Sequence, residues 1–272
     1  MQLEGAKLLV VGGSAGIGRE FGEQALRAGA RVAFAARRVE VLEQITRASD
    51  DAYAVAVDIC DEASVAHALA EAAEHLGGID AVLHTAGSAR LGLLADQDAG
   101  AWREVLETNV MGPALVARAA VPHLTPGAGL MVFLSSTVED QPRWGLSAYG
   151  VSKVALNRLV ECLRFEHEDL RFVRATIGST VGTEFGDKFD SDVLNEAFAQ
   201  WIVRAQHTNE MMVVGDVAAV LLDVVRTLLD NPRVHVPTVK IEPPGGALTL
   251  RPTPEVVAQA YAAAPGPTTP AG

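Results

Sequence analysis

Short, almost wholly apolar runs alternate along the chain with longer stretches whose apolar residues recur at helical spacing. Leu8 to Val11 is the first run. A glycine-rich turn follows, then a helical pattern through Phe21, Ala25 and Leu26 that Gly29 ends. Arg31 to Ala36 reads as the second strand, and the rhythm repeats at Ala54 to Val57, Ala81 to His84, Leu130 to Leu134, Phe172 to Ile177 and Val236 to Ile241. The clearest helices are predicted over Glu62 to Leu76, Ala101 to Leu124 and Tyr149 to Glu168. Strands that are apolar at nearly every position are buried on both faces, and in alternation with helices they make a parallel sheet. Right-handed crossovers then predict an α/β fold, a doubly wound, Rossmann-like parallel sheet of about seven strands.

Residues 1–251 read as one domain. Within it, 184–212 breaks the rhythm with Phe185, Phe189, Phe198, Trp201, Met211 and Met212, and reads as a lid. The stretch 252–272 is rich in Pro, Ala and Thr and reads as a C-terminal tail with a poorly ordered end.

Composition narrows the field. With 272 residues, 49% of them apolar, the chain can bury a core without metal or disulfide staples. Two cysteines, Cys60 and Cys162, make neither a disulfide framework nor a Cys-based zinc site, and both read as structural thiols. Lys plus Arg number 22 against 34 Asp plus Glu, a net charge of -12 with no basic patch, which argues against nucleic-acid and anionic-membrane partners. No apolar run approaches the roughly 18 residues of a membrane span, and the first, four residues long, is too short for a signal peptide. These features predict a soluble, cytoplasmic protein.

The chemistry begins at Gly12-Gly13-Ser14-Ala15-Gly16-Ile17-Gly18, between the first strand and its helix. Gly12 permits a tight turn, Gly16 lets backbone approach a ligand, and Gly18 lets the helix pack closely. The helix N-terminus beyond offers free N–H donors and a partial positive charge, which suit a pyrophosphate. The spacing is Gly-x-x-x-Gly-x-Gly rather than the commoner Gly-x-Gly-x-x-Gly.

That variant resembles the turn of the short-chain dehydrogenase/reductase family. The resemblance deepens at Tyr149-Gly150-Val151-Ser152-Lys153, which matches the family's Tyr-x-x-x-Lys, with Ser136 at the family's spacing before it. Asn109, in Thr108-Asn109-Val110-Met111-Gly112, matches the fourth active-site residue. These motifs cover roughly residues 5–185, with looser likeness through Gly215-Asp216-Val217-Ala218 and the last strand. They imply a nicotinamide-dependent oxidoreductase of the classical type. Tyr149 would be the acid/base, Lys153 its electrostatic partner and a ligand of the cofactor ribose, Ser136 a donor to the substrate oxygen, and Asn109 the holder of a water relay. An unperturbed phenol titrates near pH 10. Lys153, one helical turn from Tyr149, is therefore expected to lower it.

Cofactor choice turns on the end of the second strand, Ala36-Arg37-Arg38. A carboxylate there would accept from a ribose 2′-hydroxyl, whereas arginine accommodates a 2′-phosphate. Ala36 stands where NAD-preferring relatives place the acid, so NADP(H) is expected over NAD(H), held by Arg37 and Arg38. By the same resemblance Asp58 and Ile59 would meet adenine, and Ala86 and Gly87 would line the cofactor. Val181 and Thr183 would hold the nicotinamide end, with Gly12, Ser14, Gly16, Ile17 and Gly18 around the phosphates.

The chain departs from the family in three places. His84-Thr85 replaces Asn-Asn before Ala86-Gly87, Gly178-Ser179 replaces Pro-Gly, and Val11 replaces a Thr. His84 reads as structural rather than catalytic. The expected substrate walls are Ser88 to Leu94, Thr137 to Trp144 and the lid. Trp144, Phe185, Phe189, Trp201 and Met211 offer apolar contact, unless they only pack the lid. Arg90 and Arg143 are placed to meet an acidic group. A small-molecule ketone or secondary alcohol, bulky and largely apolar, is the expected substrate, with ketone reduction the expected direction. The Ala/Val/Leu-rich stretch from Gly112 to Leu124 and the Tyr149 helix resemble the family's subunit interface, so a homodimer or homotetramer is expected. Two other classes remain open: a dehydratase or isomerase with a structural nucleotide, and a nucleotide-binding regulatory protein. The intact Asn109, Ser136, Tyr149 and Lys153 favour redox chemistry.

Overall fold

A computed structural model describes residues 3–204, 206 and 210–244. The expected tail at 252–272, and residues 205 and 207–209 of the expected lid, lie outside the described residues.

Seven strands form the central sheet: β1 (Lys7–Val11), β2 (Arg31–Ala36), β3 (Ala52–Ala56), β4 (Ala81–His84), β5 (Leu130–Ser136), β6 (Arg171–Ile177) and β9 (Thr238–Ile241). Their order is β3-β2-β1-β4-β5-β6-β9, and every pairing is parallel. Two short strands, β7 (Thr180–Val181) and β8 (Met212–Val213), pair separately. Helices α1 (Gly16–Arg27), α2 (Val39–Thr46), α3 (Glu62–Leu76), α4 (Ala99–Leu106), α5 (Gly112–Ala120), α6 (Ser147–Glu166), α7 (Ser191–Val203) and α8 (Val214–Asp230) complete the fold.

Alternation along the strands divides the core. Leu9 and Val11 join Phe133 and Phe172 beneath α3, α5 and α6, where Val65, Val116 and Val160 are buried. Leu8 and Val10 point to the other face and meet Phe21, Leu42, Val217 and Leu221 of α1, α2 and α8. Helix starts and stops follow local chemistry. Asp61 caps α3 by accepting from Ala63 N and Ser64 N at 2.8 and 3.2 Å, and Gly77 ends it at φ +72°.

The sheet reverses its order of growth between β1 and β4, which opens a crevice beyond the carboxyl ends of the strands. Over one side of that end lies a small third cluster, in which Tyr149 and Val138 pack with Ala197 and Trp201 of α7. Among the described residues no helix is long and apolar enough to cross a membrane.

Candidate active site

The turn between β1 and α1 forms one wall of the crevice. A methyl group on Gly12 (φ +91°) would lie 2.5 Å from Thr85 Oγ1 and 2.7 Å from Ala86 N, and one on Gly18 would lie 2.5 Å from Gly12 O. The turn, the head of α1 and the segment after β4 therefore interlock backbone to backbone. Thr85 Oγ1 closes the joint by donating toward Val11 O and Gly12 O at 3.0 and 3.2 Å. Gly16 differs: its φ is +54°, while its nearest neighbour, Thr183, is 3.7 Å from where a Cβ would stand. It is there for backbone conformation, and Thr183 faces it across a gap. The N-cap of α1, Ala15, makes no side-chain capping bond, and the first turn holds no acidic residue. Its N–H groups suit an anion. Ile17 packs against the core beneath.

Farther along, Ala36 closes β2 and is buried. Arg37 is exposed, and no ion pair engages it among the described residues. Arg38 is already occupied. Its guanidinium donates twice to the Glu184 carboxylate, at 2.8 Å each, and once to Ser14 Oγ at 3.0 Å. Those contacts hold its pKa above the usual arginine value. Asp58, beyond β3, accepts from Cys60 N at 3.0 Å. The Ile59 side chain packs inward against Gly112. Val181 is exposed in β7.

The four remaining candidates meet where β4, β5 and α6 converge. Asn109 lies in one wide π-helical turn, Glu107–Met111, between α4 and α5, and is 1% exposed. Its Oδ1 accepts from Ser88 N at 2.8 Å, and its Nδ2 donates to Ser88 O at 2.8 Å and Ser152 Oγ at 2.9 Å. It thus ties the segment after β4 to α6. Gly87 brings backbone beside this group, since a methyl there would lie 3.3 Å from Asn109 Oδ1 and 3.7 Å from Lys153 Nζ.

Tyr149 is buried, with the Ser136 hydroxyl at the end of β5 near enough to favour its phenolate. Lys153 sits one turn along α6, with Nζ 5.5 Å from the centre of the Tyr149 ring and donating to Leu134 O at 2.9 Å. The expectation that Lys153 lowers the phenol is corrected here. Burial pushes Tyr149 up to about 12, opposed by the Ser136 hydrogen bond and the Arg143 charge. Lys153, itself buried, donates to a backbone carbonyl and does not offset that burial. Burial also brings Lys153 down to about 8, opposed by the Glu139 carboxylate. His84 is buried beneath, stacked on Phe133 at 5.9 Å, and burial followed by the charge of Lys153 lowers it to about 3. It is a neutral core histidine.

The expected substrate walls divide. Phe185 meets Tyr149 edge to face at 5.0 Å and Phe189 at 5.4 Å. Trp201 is buried and donates from Nε1 to Trp144 O at 2.9 Å, so these two tryptophans pack the lid. Met211 is exposed. Arg90 is paired with Glu104. Glu139 escaped sequence reasoning altogether. It accepts from Ser135 Oγ at 2.5 Å, Thr176 Oγ1 at 3.0 Å and Asn157 Nδ2, with Arg174 Nε 3.9 Å away. A lone Glu in a loop carries no sequence signal of such burial.

Comparison with known proteins identifies the family. A family model described as short chain dehydrogenase matches residues 6–192. A short chain dehydrogenase of Pseudocercospora fijiensis is 36% identical over 174 residues, covering 61% of this chain and 56% of the relative. Dehydrogenase/reductase SDR family member 7B of Mus musculus is 30% identical over 176 residues, covering 61% and 54%. The aligned part thus spans about half the length of these curated relatives. Among solved structures, a dehydrogenase/reductase from Sinorhizobium meliloti superposes with TM-score 0.76 at 27% identity, covering 91% of this chain and 96% of that one. A short chain dehydrogenase from Burkholderia cenocepacia in complex with NADP gives 0.74 at 27% identity, covering 91% and 99%. The doubly wound sheet, the interlocked glycine turn and the match over most of the chain lead to one conclusion: this chain belongs to the short-chain dehydrogenase/reductase family of oxidoreductases.

Proposed function

We propose that the chain is an NADP-dependent ketoreductase in which Tyr149 is the general acid, working beneath a lid formed by residues 184–212. The observation that carries this reading is the convergence of Ser136, Tyr149 and Lys153 at the carboxyl end of the sheet, beside a turn in which Gly12 and Gly18 have no room for a side chain. The residues present fit a dinucleotide. Gly12 and Gly18 present only backbone at their positions in the turn, the first turn of α1 carries no acid, and Arg37 stands free just beyond β2.

In this reading Gly12, Ser14, Gly16, Ile17 and Gly18 hold the pyrophosphate. Arg37 and Arg38 take the 2′-phosphate, Arg38 by exchanging its Glu184 partner. Asp58 and the backbone of Ile59 border the adenine, while Ala86, Gly87, Val181 and Thr183 border the nicotinamide ribose and ring. NADPH, when bound, supplies the hydride that converts a ketone carbon to an alcohol carbon. Tyr149 gives its phenolic proton to the carbonyl oxygen, and its high pKa keeps that proton in place throughout the neutral range. Ser136 donates a hydrogen bond to the same oxygen and steadies the negative charge developing there. Lys153, charged below about pH 8, holds the cofactor ribose and stabilises the phenolate left behind. Asn109 fixes Ser88 and Ser152 so that the walls of this pocket keep their spacing.

Titration with NADPH and NADH followed by cofactor fluorescence, then a ketone panel followed by loss of nicotinamide absorbance, tests the reading. Tyr149→Phe should lower kcat by about 10²- to 10⁴-fold while cofactor affinity stays within a factor of a few. Arg37→Ser should weaken NADPH by about 10- to 100-fold and leave NADH unaffected, the size expected of one charge-assisted hydrogen bond. Preferential binding of NADH would overturn the cofactor assignment. Undiminished turnover in Tyr149→Phe would overturn the mechanism.

A further inference from the structure

Arg143 stands in the loop between β5 and α6, six positions before Tyr149, in a chain with 34 acidic residues and a net charge of -12. Elsewhere Arg38 takes Glu184, Arg90 takes Glu104, Arg174 lies beside Glu139, and the buried Arg171 is spent on the carbonyls of Leu228 and Ala128. Arg143 has no carboxylate within ion-pair distance among the described residues. Its guanidinium lies 5.9 Å from the centre of the Trp201 ring, and its one hydrogen bond among the described residues is a long one, 3.3 Å from Nη2 to Ser179 Oγ. A guanidinium has five N–H donors, so most of this fork is unspent. Burial costs Arg143 part of its preference for the charged state, and the neighbouring Tyr149 phenol restores some of it.

Trp201, over which the guanidinium lies, packs in one cluster with Tyr149, and Arg143 itself lines a small cleft on its other side. This cleft is lined by Thr137, which follows Ser136, by Ser179 in the link between β6 and β7, and by Asp140, Lys240 and Glu242. The two carboxylates are turned to Lys240, at 3.7 Å from Asp140 and 3.2 Å from Glu242. Arg143 is left as the cation with open donors. The departure from the family's Pro-Gly matters here, because a hydroxyl at position 179 reaches the guanidinium and orients it.

We propose that Arg143 is a specificity-determining residue that binds a carboxylate on the substrate, so that the chain reduces oxo acids in preference to neutral ketones. The planar fork matches a carboxylate bidentately, Ser179 fixes the orientation of the fork, and Trp201 covers its face. Phe185, edge to face with Tyr149, and Phe189 behind it offer the apolar surface for the remainder of the substrate. This rests on the reductase reading above and names its substrate class.

The test uses oxo acids of increasing chain length against their methyl esters, with the NADPH-loaded protein. Turnover is read as kcat/KM, and binding is read in parallel by thermal shift. Wild type should favour the acids. Arg143→Gln should reduce the acid-over-ester ratio by about 10- to 100-fold, mainly through KM, as expected for loss of a charge-assisted pair. Arg143→Lys should keep part of the preference. Equal losses for acid and ester in Arg143→Gln would overturn the proposal, since Arg143 would then act through Tyr149 or the lid. Esters used as well as acids by wild type would also overturn it, and would leave the reductase reading intact. An acid-specific thermal shift that Arg143→Gln abolishes, without turnover of any ketone, would support the anion site and overturn the reductase reading.

Discussion

Tyr149 and Lys153 are both held almost out of water, and burial drives them the same way chemically, toward their neutral forms. For the phenol that means retaining its proton to about pH 12; for the amine it means surrendering it near pH 8. Reduction needs a protonated phenol beside a charged amine. The reductive kcat should therefore be level through neutral pH and fall as pH rises through about 8, when Lys153 loses its charge. Replacing Glu139 by Gln removes the carboxylate that lifts Lys153, so the falling limb should move to lower pH. A pH–rate profile of both proteins checks this, and a limb that stays in place would separate Glu139 from the site. That Ser136, Tyr149, Lys153 and Asn109 would lie in one region of the fold was legible in the sequence, from an order and spacing that resemble the family's motifs. The state of the phenol was not, because i, i+4 spacing puts two residues on one helix face without saying which atoms meet. Glu139 was illegible for a related reason. Its burial depends on Ser135, Asn157 and Thr176, which come from three separate elements.

At the scale of elements, Glu139 is also a rivet joining β5, β6 and α6. Glu139→Ala leaves Ser135, Thr176 and Asn157, all nearly buried, without their acceptor. At about 1–3 kcal/mol for each stranded polar group, the variant should lose roughly 3 kcal/mol or more, measurable by chemical denaturation. Glu139→Gln keeps one acceptor oxygen and should lose clearly less. The sheet was readable from its apolar runs, with end positions moving by a residue or two: β3 begins at Ala52 rather than Ala54, and β9 at Thr238 rather than Val236. The single helix expected over Ala101 to Leu124 is instead α4, a π-helical turn, α5 and a short 3₁₀ turn. Apolar periodicity cannot reveal the interruption, but Pro113 explains it. Proline lacks an N–H and crowds the carbonyl four residues back, here Asn109. The chain widens by one residue, with Gly112 N–H bonding Glu107 O. Asn109 sits within that bulge, aimed at Ser88 and Ser152 rather than along a regular helix.

For the whole molecule, the outer surface of the α6 region is unexpectedly greasy for so acidic a protein. Val151, Val154 and Phe165 are 51%, 52% and 86% exposed, and Met111 beside α5 is 50% exposed. A second copy of the chain covering this face is the expected assembly, and light scattering should give a dimer or tetramer mass. Val154→Asp should shift it toward the monomer without changing the helical circular dichroism. The remaining consequence concerns synthesis. Strand β1 lies between two partners, pairing Leu8 with Val32 on one edge and with Ala81 on the other. The second partner lies 73 positions downstream, as it also does for Lys7 and Asp80. At about 5–20 residues per second, a ribosome takes roughly 4–15 s to deliver it. During that interval Leu8, Leu9, Val10 and Val11 present a bare parallel edge in the middle of what will become the core. The nascent chain is most vulnerable to aggregation there, before the crevice that holds its chemistry exists.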